Sequence, residues 1–420
     1  MIKLTDKEYN TKLYPIYKAI GMDLLFYYAI IFIFFTEVKC FDAAQVLFLD
    51  GLSPLFTMIF NIPATSIVER IGLKKGLILG NILLSVFTLI LIIAPNIYIV
   101  MIGLLFNAFG FALKGITENN ILAETVNVET KEGRYMFSVI ESIGIRNYEL
   151  LDGVTSFFTG LTFLINPYLP IMITLIFQVI AIMLASCFRI ENHKKKRKKK
   201  EEKESIFKEF KEIIKSKRIQ ALILFILFFE GIAYSTFSLR ETMMTESLEV
   251  PTAQFSVILA ILTILGGVST FLHKHIHRSF KNKSLAFLSL TYCASMIISG
   301  ALALSDINYM TKTIVILLIF LMQYSFRDIY LILIVTYSKN FTNNDIRVKV
   351  SSVVEAVRNI SCGLISFFAS VLLNFWSIDY TFIYMGVSLG IILLISLIWM
   401  RKHLGLEPED YEEKDIFANY

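Results

Sequence analysis

The amino-acid sequence reads as an all-α membrane protein, with twelve transmembrane helices arranged as two pseudo-symmetric six-helix bundles. Three observations carry this reading. The apolar share is too large for a water-facing surface, twelve apolar runs have the length that crosses a bilayer, and short motifs recur six runs apart. Of 420 residues, 55% are apolar, 18% are charged and 36 are phenylalanine, and the mean hydropathy is +0.64. Soluble domains hold roughly 45 to 50% apolar residues with glycine counted and about 25% charged ones, so too few polar residues remain to coat a soluble body of this length. Twelve crossings of about 20 residues would use about 240 residues, close to the apolar share.

The runs, bounded by turn residues or charge, are expected near 16–37, 43–66, 76–94, 98–118, 138–164, 168–188, 219–238, 253–272, 284–303, 312–336, 349–374 and 380–400. Short breaks at Pro95-Asn96, Asn166-Pro167 and Trp376 to Asp379 suit tight helical hairpins. A membrane β-barrel would instead alternate in segments of about ten residues. The first fifteen residues are polar, which predicts no cleaved secretory leader. Four scattered cysteines, Cys40, Cys187, Cys293 and Cys362, form neither a disulfide framework nor a metal spacing, and are expected to be packing residues.

Basic residues set the orientation, because cytoplasmic loops retain Lys and Arg. With the N-terminus inside, all but seven of the 40 lie on the cytoplasmic side: Lys39, Arg240 and Lys312 fall outside, and Lys114, Arg146, Arg327 and Arg358 fall within spans. Both termini are therefore expected in the cytoplasm and the chain in the cell membrane. The expected domains are 1–188 and 219–400 for the two bundles, a basic linker at 189–218 and a tail at 401–420. The linker holds the run from His193 to Lys200 and the amphipathic stretch Ile206 to Ile214. Beside a bilayer, such a run is a solvated tether resting on anionic headgroups rather than a nucleic-acid site.

Two recurrences relate the halves. Ser138-Val-Ile-Glu141 with Arg146-Asn147 matches Ser352-Val-Val-Glu355 with Arg358-Asn359, given a two-residue gap. The segment Glu69 to Lys75 matches His277 to Lys283, sharing the arginine and the final lysine. Each member stands six spans from its partner, as in parallel repeats.

The stretch from Ile62 to Gly76 resembles the signature loop of the major facilitator superfamily, whose pattern is Gly, three residues, Asp-Arg, one residue, Gly, then basic positions. Glu69, Arg70, Gly72, Lys74 and Lys75 fit it, while Thr65 and Leu73 depart from it. With six plus six spans and a long central linker, the resemblance covers the whole chain. It implies a transporter whose loop is part of a cytoplasmic gate, with Glu69 and Arg70 making charge contacts and Gly72 allowing close helix approach. Lys114 to Asn120 and Asp345 to Ser351 resemble loops of bacterial drug-efflux members. The fifth span has Gly153 and Gly160 but lacks the Gly-Pro of many drug and proton antiporters.

Charged groups at bilayer depth are costly and are kept where they face water or a partner. The runs enclose Asp23, Asp50, Glu141, Glu149, Asp152, Glu230, Asp328 and Glu355 against Lys114, Arg146, Arg327 and Arg358, with Glu118 at a span end. Acids outnumber bases, so complete pairing is impossible if all are ionised. Helical spacing puts Ser351, Glu355, Arg358, Cys362 and Ser366 on one face, and Ser142, Arg146, Glu149, Gly153 and Ser156 on another. Tyr27 follows Asp23 by one turn, Tyr234 follows Glu230, and Gln323 precedes Arg327 and Tyr330. Tyr27, Lys114, Arg146, Tyr234, Gln323, Arg327, Glu355 and Arg358 are the expected cavity and substrate-binding residues.

A carboxyl group near mid-membrane can take a proton on one side and release it on the other. The sequence therefore predicts proton-coupled alternating access, with Asp23 and Glu230 as leading carriers and Asp50, Glu149, Asp152 and Asp328 as further ones. The favoured function is export of a small amphiphile, with a cation suited to the acidic surplus and the aromatic supply. Uptake with protons is the alternative. No His-Glu-x-x-His, Gly-x-Ser-x-Gly or P-loop pattern occurs, so neither a membrane enzyme nor ATP drive is expected. His273, His275 and His277 fall in the basic loop matching Glu69 to Lys75. No metal or cofactor is expected.

Overall fold

The computed structural model describes residues 5–21, 26–127, 131–190, 213–269, 272–340 and 344–404. Among these, every regular element is helical. We number the α-helices α1 (Asp6–Gly21), α2 (Ile31–Ile33), α3 (Ala43–Ile71), α4 (Leu73–Ile93), α5 (Ile97–Val126), α6 (Lys131–Ile165), α7 (Leu169–Cys187), α8 (Lys217–Thr242), α9 (Thr252–Ser269), α10 (His273–Phe280), α11 (Ser284–Ala303), α12 (Tyr309–Asn340), α13 (Asn344–Phe375) and α14 (Ile378–His403). The chain is an all-α, multi-pass membrane protein, and among the described residues nine helical stretches are long and apolar enough to cross a bilayer. Three expected runs meet that standard less well, for physical reasons. Residues 22–25 of the first lie outside the described residues, α6 carries Glu141, Arg146, Glu149 and Asp152, and the apolar part of α9 is only Gln254–Gly266.

Side chains such as Ile93, Tyr98, Ile165, Phe375 and Ile398 are each 72% exposed or more. A soluble protein rarely shows so much apolar surface, and here the bilayer covers it. The polar residues inside are mostly Ser and Thr that return their hydroxyls to the carbonyl three or four residues back, as Thr88 does to Leu84 and Ser289 to Leu285. These bonds let hydroxyls sit in an apolar setting without an unmet donor.

Local chemistry sets the helix ends. Asn96 caps α5 by accepting from the Ile99 amide at 3.1 Å. Gly72 separates α3 from α4 at φ 87°, a left-handed value that side chains disfavour. The backbones of α4 and α5 nearly touch, because a Cβ at Gly80 would lie 3.0 Å from the Gly110 carbonyl and one at Gly110 would lie 2.9 Å from that of Gly80. Small residues permit this approach, which gains dispersion contact where lipid offers no hydrophobic drive.

The chain divides into two compact units. One holds Met1–Phe41, Leu52–Arg197 and Thr252–Ala260, and the other holds Asp42–Gly51, Lys198–Pro251 and Ile261–Tyr420. Each contains a copy of one uncommon turn. In the first, Phe34–Val38 forms a π-helical turn, followed by Cys40 at φ 57°. In the second, Met243–Ser247 does the same, followed by Glu249 at φ 45°. Thr36 and Thr245 occupy matching places, each giving its hydroxyl to the carbonyls three and four residues back. Phe34-Phe35-Thr36-Glu37 thus corresponds to Met243-Met244-Thr245-Glu246, a repeat that the motif reading did not find.

Several expectations change. The segments Lys114 to Asn120, Asp345 to Ser351 and His273 to Phe280 are helical rather than loops, because α5, α10 and α13 extend into them. Cys293 and Cys362 are buried, but Cys40 and Cys187 are exposed and do not pack. Lys39 and Lys312, outliers in the charge count, cap helix C-termini. Lys39 Nζ donates to the Ile92 and Ala94 carbonyls at the end of α4, and Lys312 Nζ to that of Ala303 at the end of α11, all at 2.9 Å. The Lys39 ammonium also lies 5.4 Å from the Tyr168 ring centroid.

Candidate functional site

In the first unit, α1 presents Tyr14, Tyr17 and Lys18 at turn spacing to Lys114 and Glu118 of α5 and Glu141 of α6. Lys18 Nζ lies 3.2 Å from Glu118 Oε2 and 3.2 Å from Glu141 Oε1. Tyr17 Oη donates to Glu118 at 3.1 Å, Tyr14 Oη donates to Glu141 at 2.6 Å, and Asn81 of α4 donates to Tyr17 Oη at 3.1 Å. Lys114 Nζ is 3.8 Å from Glu118 and donates to the Gly21 carbonyl. The two lysines and Glu118 are buried, Glu141 nearly so. Two ammonium groups face two carboxylates, and each carboxylate oxygen has a partner. The arrangement is electrically complete, which suits holding helices together. Lys18 stands at the start of the first expected run, 16–37, although the charge count took it with the cytoplasmic N-terminal segment, and its partners lie on distant helices.

The second unit is different. Glu230 of α8 is buried and accepts from Arg358 Nε of α13 at 2.8 Å; Arg358 Nη1 is 3.8 Å from Glu355. On the same helix, Phe225 and Phe229 contact the Tyr330 ring, whose centroid is 4.3 Å from that of Phe229. Asp50, in the first turns of α3 that group with this unit, accepts from the Ser238 hydroxyl, and its carbonyl accepts from Tyr234 Oη at 3.4 Å. Gln323 of α12 is buried and donates to Ser295 Oγ at 2.8 Å, while its Oε1 has no partner.

Two residues that sequence reading placed outside the membrane belong here. The apolar run stops at Ser238, but the backbone of α8 continues to Thr242 and then into the π-turn. Arg240 and Glu241 are therefore buried, at 1% and 2% exposure. All three Arg240 nitrogens and Glu241 Oε1 lack a hydrogen-bond partner. The matching Thr-Glu pairs at 36–37 and 245–246 were the signal that could have extended α8.

Other expected residues are not brought together. Tyr27 is buried, Asp152 is half-buried, and Arg146 is exposed, with a 3.4 Å contact to its neighbour Asn147. Arg327 is half-buried and its Nε has no partner. Asp23 lies outside the described residues, as do the side chains of Glu149 and Asp328. At the end of α3, Glu69 and Arg70 are exposed, and no ion pair of either is found among the described residues; Lys74 and Lys75 open α4 after Gly72. Among the described residues no cluster suits a metal ion.

An all-helical membrane protein with a turn duplicated between its two units and charged groups buried on its helices fits a multi-pass transporter. The chain belongs to the major facilitator superfamily, whose family model matches residues 17–326. No curated protein matches it by sequence. Solved structures share the fold at low identity. The nucleoside transporter NupG is 11% identical with a TM-score of 0.72, over 95% of this chain and 100% of that one. A bacterial homologue of the human lysosomal transporter Spinster, inward-facing and unoccupied, is 14% identical with a TM-score of 0.69, over 95% and 97%. A D-xylose–proton symporter is 11% identical with a TM-score of 0.69, over 97% and 98%.

Proposed function

We propose that this transporter works by alternating access between two halves, 1–188 and 219–400, and exports a small amphiphilic compound in exchange for protons. One observation carries the proton assignment: Glu241 is a carboxyl group buried in the second unit and Asp50 a half-buried one, with no cation bonded to either among the described residues. Asp50 has only a serine hydroxyl as partner, and Glu241 has an oxygen with none. Such a group is cheapest to keep as the neutral acid and must be hydrated or paired to ionise, so its proton can follow a conformational change. Glu230 takes a different part, because Arg358 already neutralises it; protonation there would free Arg358. Asp23, Glu149, Asp152 and Asp328 remain further proton carriers in this reading, and the segment from Glu69 to Lys75 remains the gate.

The cation preference drawn from the acidic surplus loses support. Glu118 and Glu141 of the first unit are matched by Lys18 and Lys114, and in the second unit the Arg240 nitrogens have no hydrogen-bond partner among the described residues. The likeness in fold to a solved sugar–proton symporter supports proton coupling and also favours uptake as a second reading. In both, the protein sits in the cell membrane with both termini cytoplasmic and the linker, 189–218, on anionic headgroups; residues 191–212 lie outside the described residues.

Reconstituted vesicles decide. Asp50→Asn and Glu241→Gln should abolish flux driven by a pH gradient while leaving exchange of substrate for substrate. Full gradient-driven flux in both variants would remove these residues from the mechanism. A gradient acid on the side the substrate enters, driving net movement toward it, marks export; movement away from it marks uptake.

A further inference from the structure

Arg240 is the strongest unmet charge in the described structure. Its side chain is buried, yet Nε, Nη1 and Nη2 have no hydrogen-bond acceptor. A guanidinium stays charged at any ordinary pH and carries five N–H donors, so burial with no acceptor is costly. The group lies over aromatic rings, with Cζ 3.9 Å from the centroid of the Tyr324 ring and 5.8 Å from that of Phe237. A cation–π contact is electrostatic and does not replace hydrogen-bond acceptors, of which the guanidinium nitrogens have none among the described residues.

Tyr324 Oη and Tyr292 Oη, both buried, make no hydrogen bond to Arg240 among the described residues. Glu241 does not fill the gap. Successive helical residues point about 100° apart, and the two form no ion pair among the described residues. Asp50 is engaged by Ser238.

We propose that Arg240 is the anchor for a carboxylate on the transported amphiphile, with Tyr324 and Tyr292 as supporting donors. This rests on the reading of the chain as a carrier of a small amphiphile and names that compound's charged group. A carboxylate presents two coplanar oxygens to the guanidinium edge as a fork meets a fork. Phe237, Phe229 and the tyrosine rings suit an apolar body, with Phe229 5.5 Å from Tyr292 between centroids. Glu241 limits the charge, because a monoanion is tolerated beside a carboxyl group where a dianion is not.

The test uses the purified full-length chain in detergent, with thermal unfolding followed at matched ionic strength in sodium benzoate, inorganic phosphate or tetraphenylphosphonium chloride. Benzoate should raise the midpoint saturably in the wild type. Arg240→Lys should need at least tenfold more benzoate, because one ammonium cannot make the fork. Arg240→Gln should show no benzoate response, and without additive it should unfold at or above the wild-type temperature, since it removes an unpaired charge. If that variant does not fold, Tyr324→Phe should weaken the benzoate response by several fold.

No benzoate response, an equal response in Arg240→Gln, or a larger one to phosphate or the phosphonium would overturn the assignment. So would an additive-free drop in the midpoint of Arg240→Gln, which would mean the guanidinium is paired within the protein. Benzoate binding without labelled-benzoate flux in vesicles would leave the site standing and remove the transport reading. Benzoate flux indifferent to Arg240→Gln would do the reverse.

Discussion

Glu230 accepts a hydrogen bond from Arg358 Nε at 2.8 Å, joining α8 to α13. The glutamate side chain is 3% exposed and the arginine 36%, so one end of the pair is dry and the other partly wet. Removing either partner strands the other. Glu230→Gln and Arg358→Gln should each cost about 1–3 kcal/mol, less than the roughly 3–5 kcal/mol of a fully buried pair because water screens the arginine. The double variant should lie closer to the wild type than the singles predict. A double-mutant cycle on thermal unfolding checks this, and strict additivity would show that the contact carries no coupling.

The Lys18 network should be less forgiving. Lys18→Met leaves Glu118 and Glu141 without their shared ammonium and should destabilise the first unit by about 3–5 kcal/mol. Adding Glu141→Gln should recover part of that loss, because Glu118 keeps Lys114 as a partner while Glu141 has no other cation among the described residues. Unfolding midpoints of the two variants measure both effects.

Contact between α4 and α5 predicts a steric effect. A Cβ at Gly80 would meet Lys114 Cγ at 2.9 Å and the Gly110 carbonyl at 3.0 Å, and a backbone atom cannot swing aside. Gly80→Ala should cost about 1–3 kcal/mol as overpacking. At Gly115, where a Cβ meets nothing within 4 Å, the same change should be neutral or stabilising. Equal midpoints for the two variants would contradict the packing account.

Acid should loosen the start of α1. Thr5 and Glu8 form a reciprocal cap: the Thr5 amide donates to Glu8 at 2.9 Å, and the Glu8 amide to Thr5 Oγ1 at 3.3 Å. These bonds, the backbone one foremost, hold the Glu8 carboxyl below its ordinary value of 4.5. A lowered folded value means the contribution is complete above the ordinary value and is lost as pH falls through the folded one. Hydrogen exchange over the first turn should differ between wild type and Glu8→Gln at about pH 6.5 and converge once the pH falls below the folded value.

How much of this was legible in sequence depends on whether local or distant residues decide. The run 284–303 coincides with α11 end to end, because the basic cluster before it and Ser305-Asp306 after it mark both limits within the run itself. Arg240 was misplaced because hydropathy falls at Ser238 while the helix continues, bringing its guanidinium over the Tyr324 ring on α12. Lys18 was misplaced because its partners lie on α5 and α6. The pairing of Glu355 with Arg358, three residues apart, needed only helical spacing, whereas the pairing of Arg358 with Glu230 required the packing of two helices. Local periodicity thus revealed the helices, and tertiary contact decided which charges are paired.

The most direct test of the carrier account is proton movement itself. Vesicles containing the full chain and a trapped pH-reporting dye would be given a substrate gradient with no initial pH difference. The account predicts a dye response that scales with substrate movement, opposite in sense to it, and absent in Asp50→Asn and Glu241→Gln. Substrate flux of normal size with no change in the dye would contradict it.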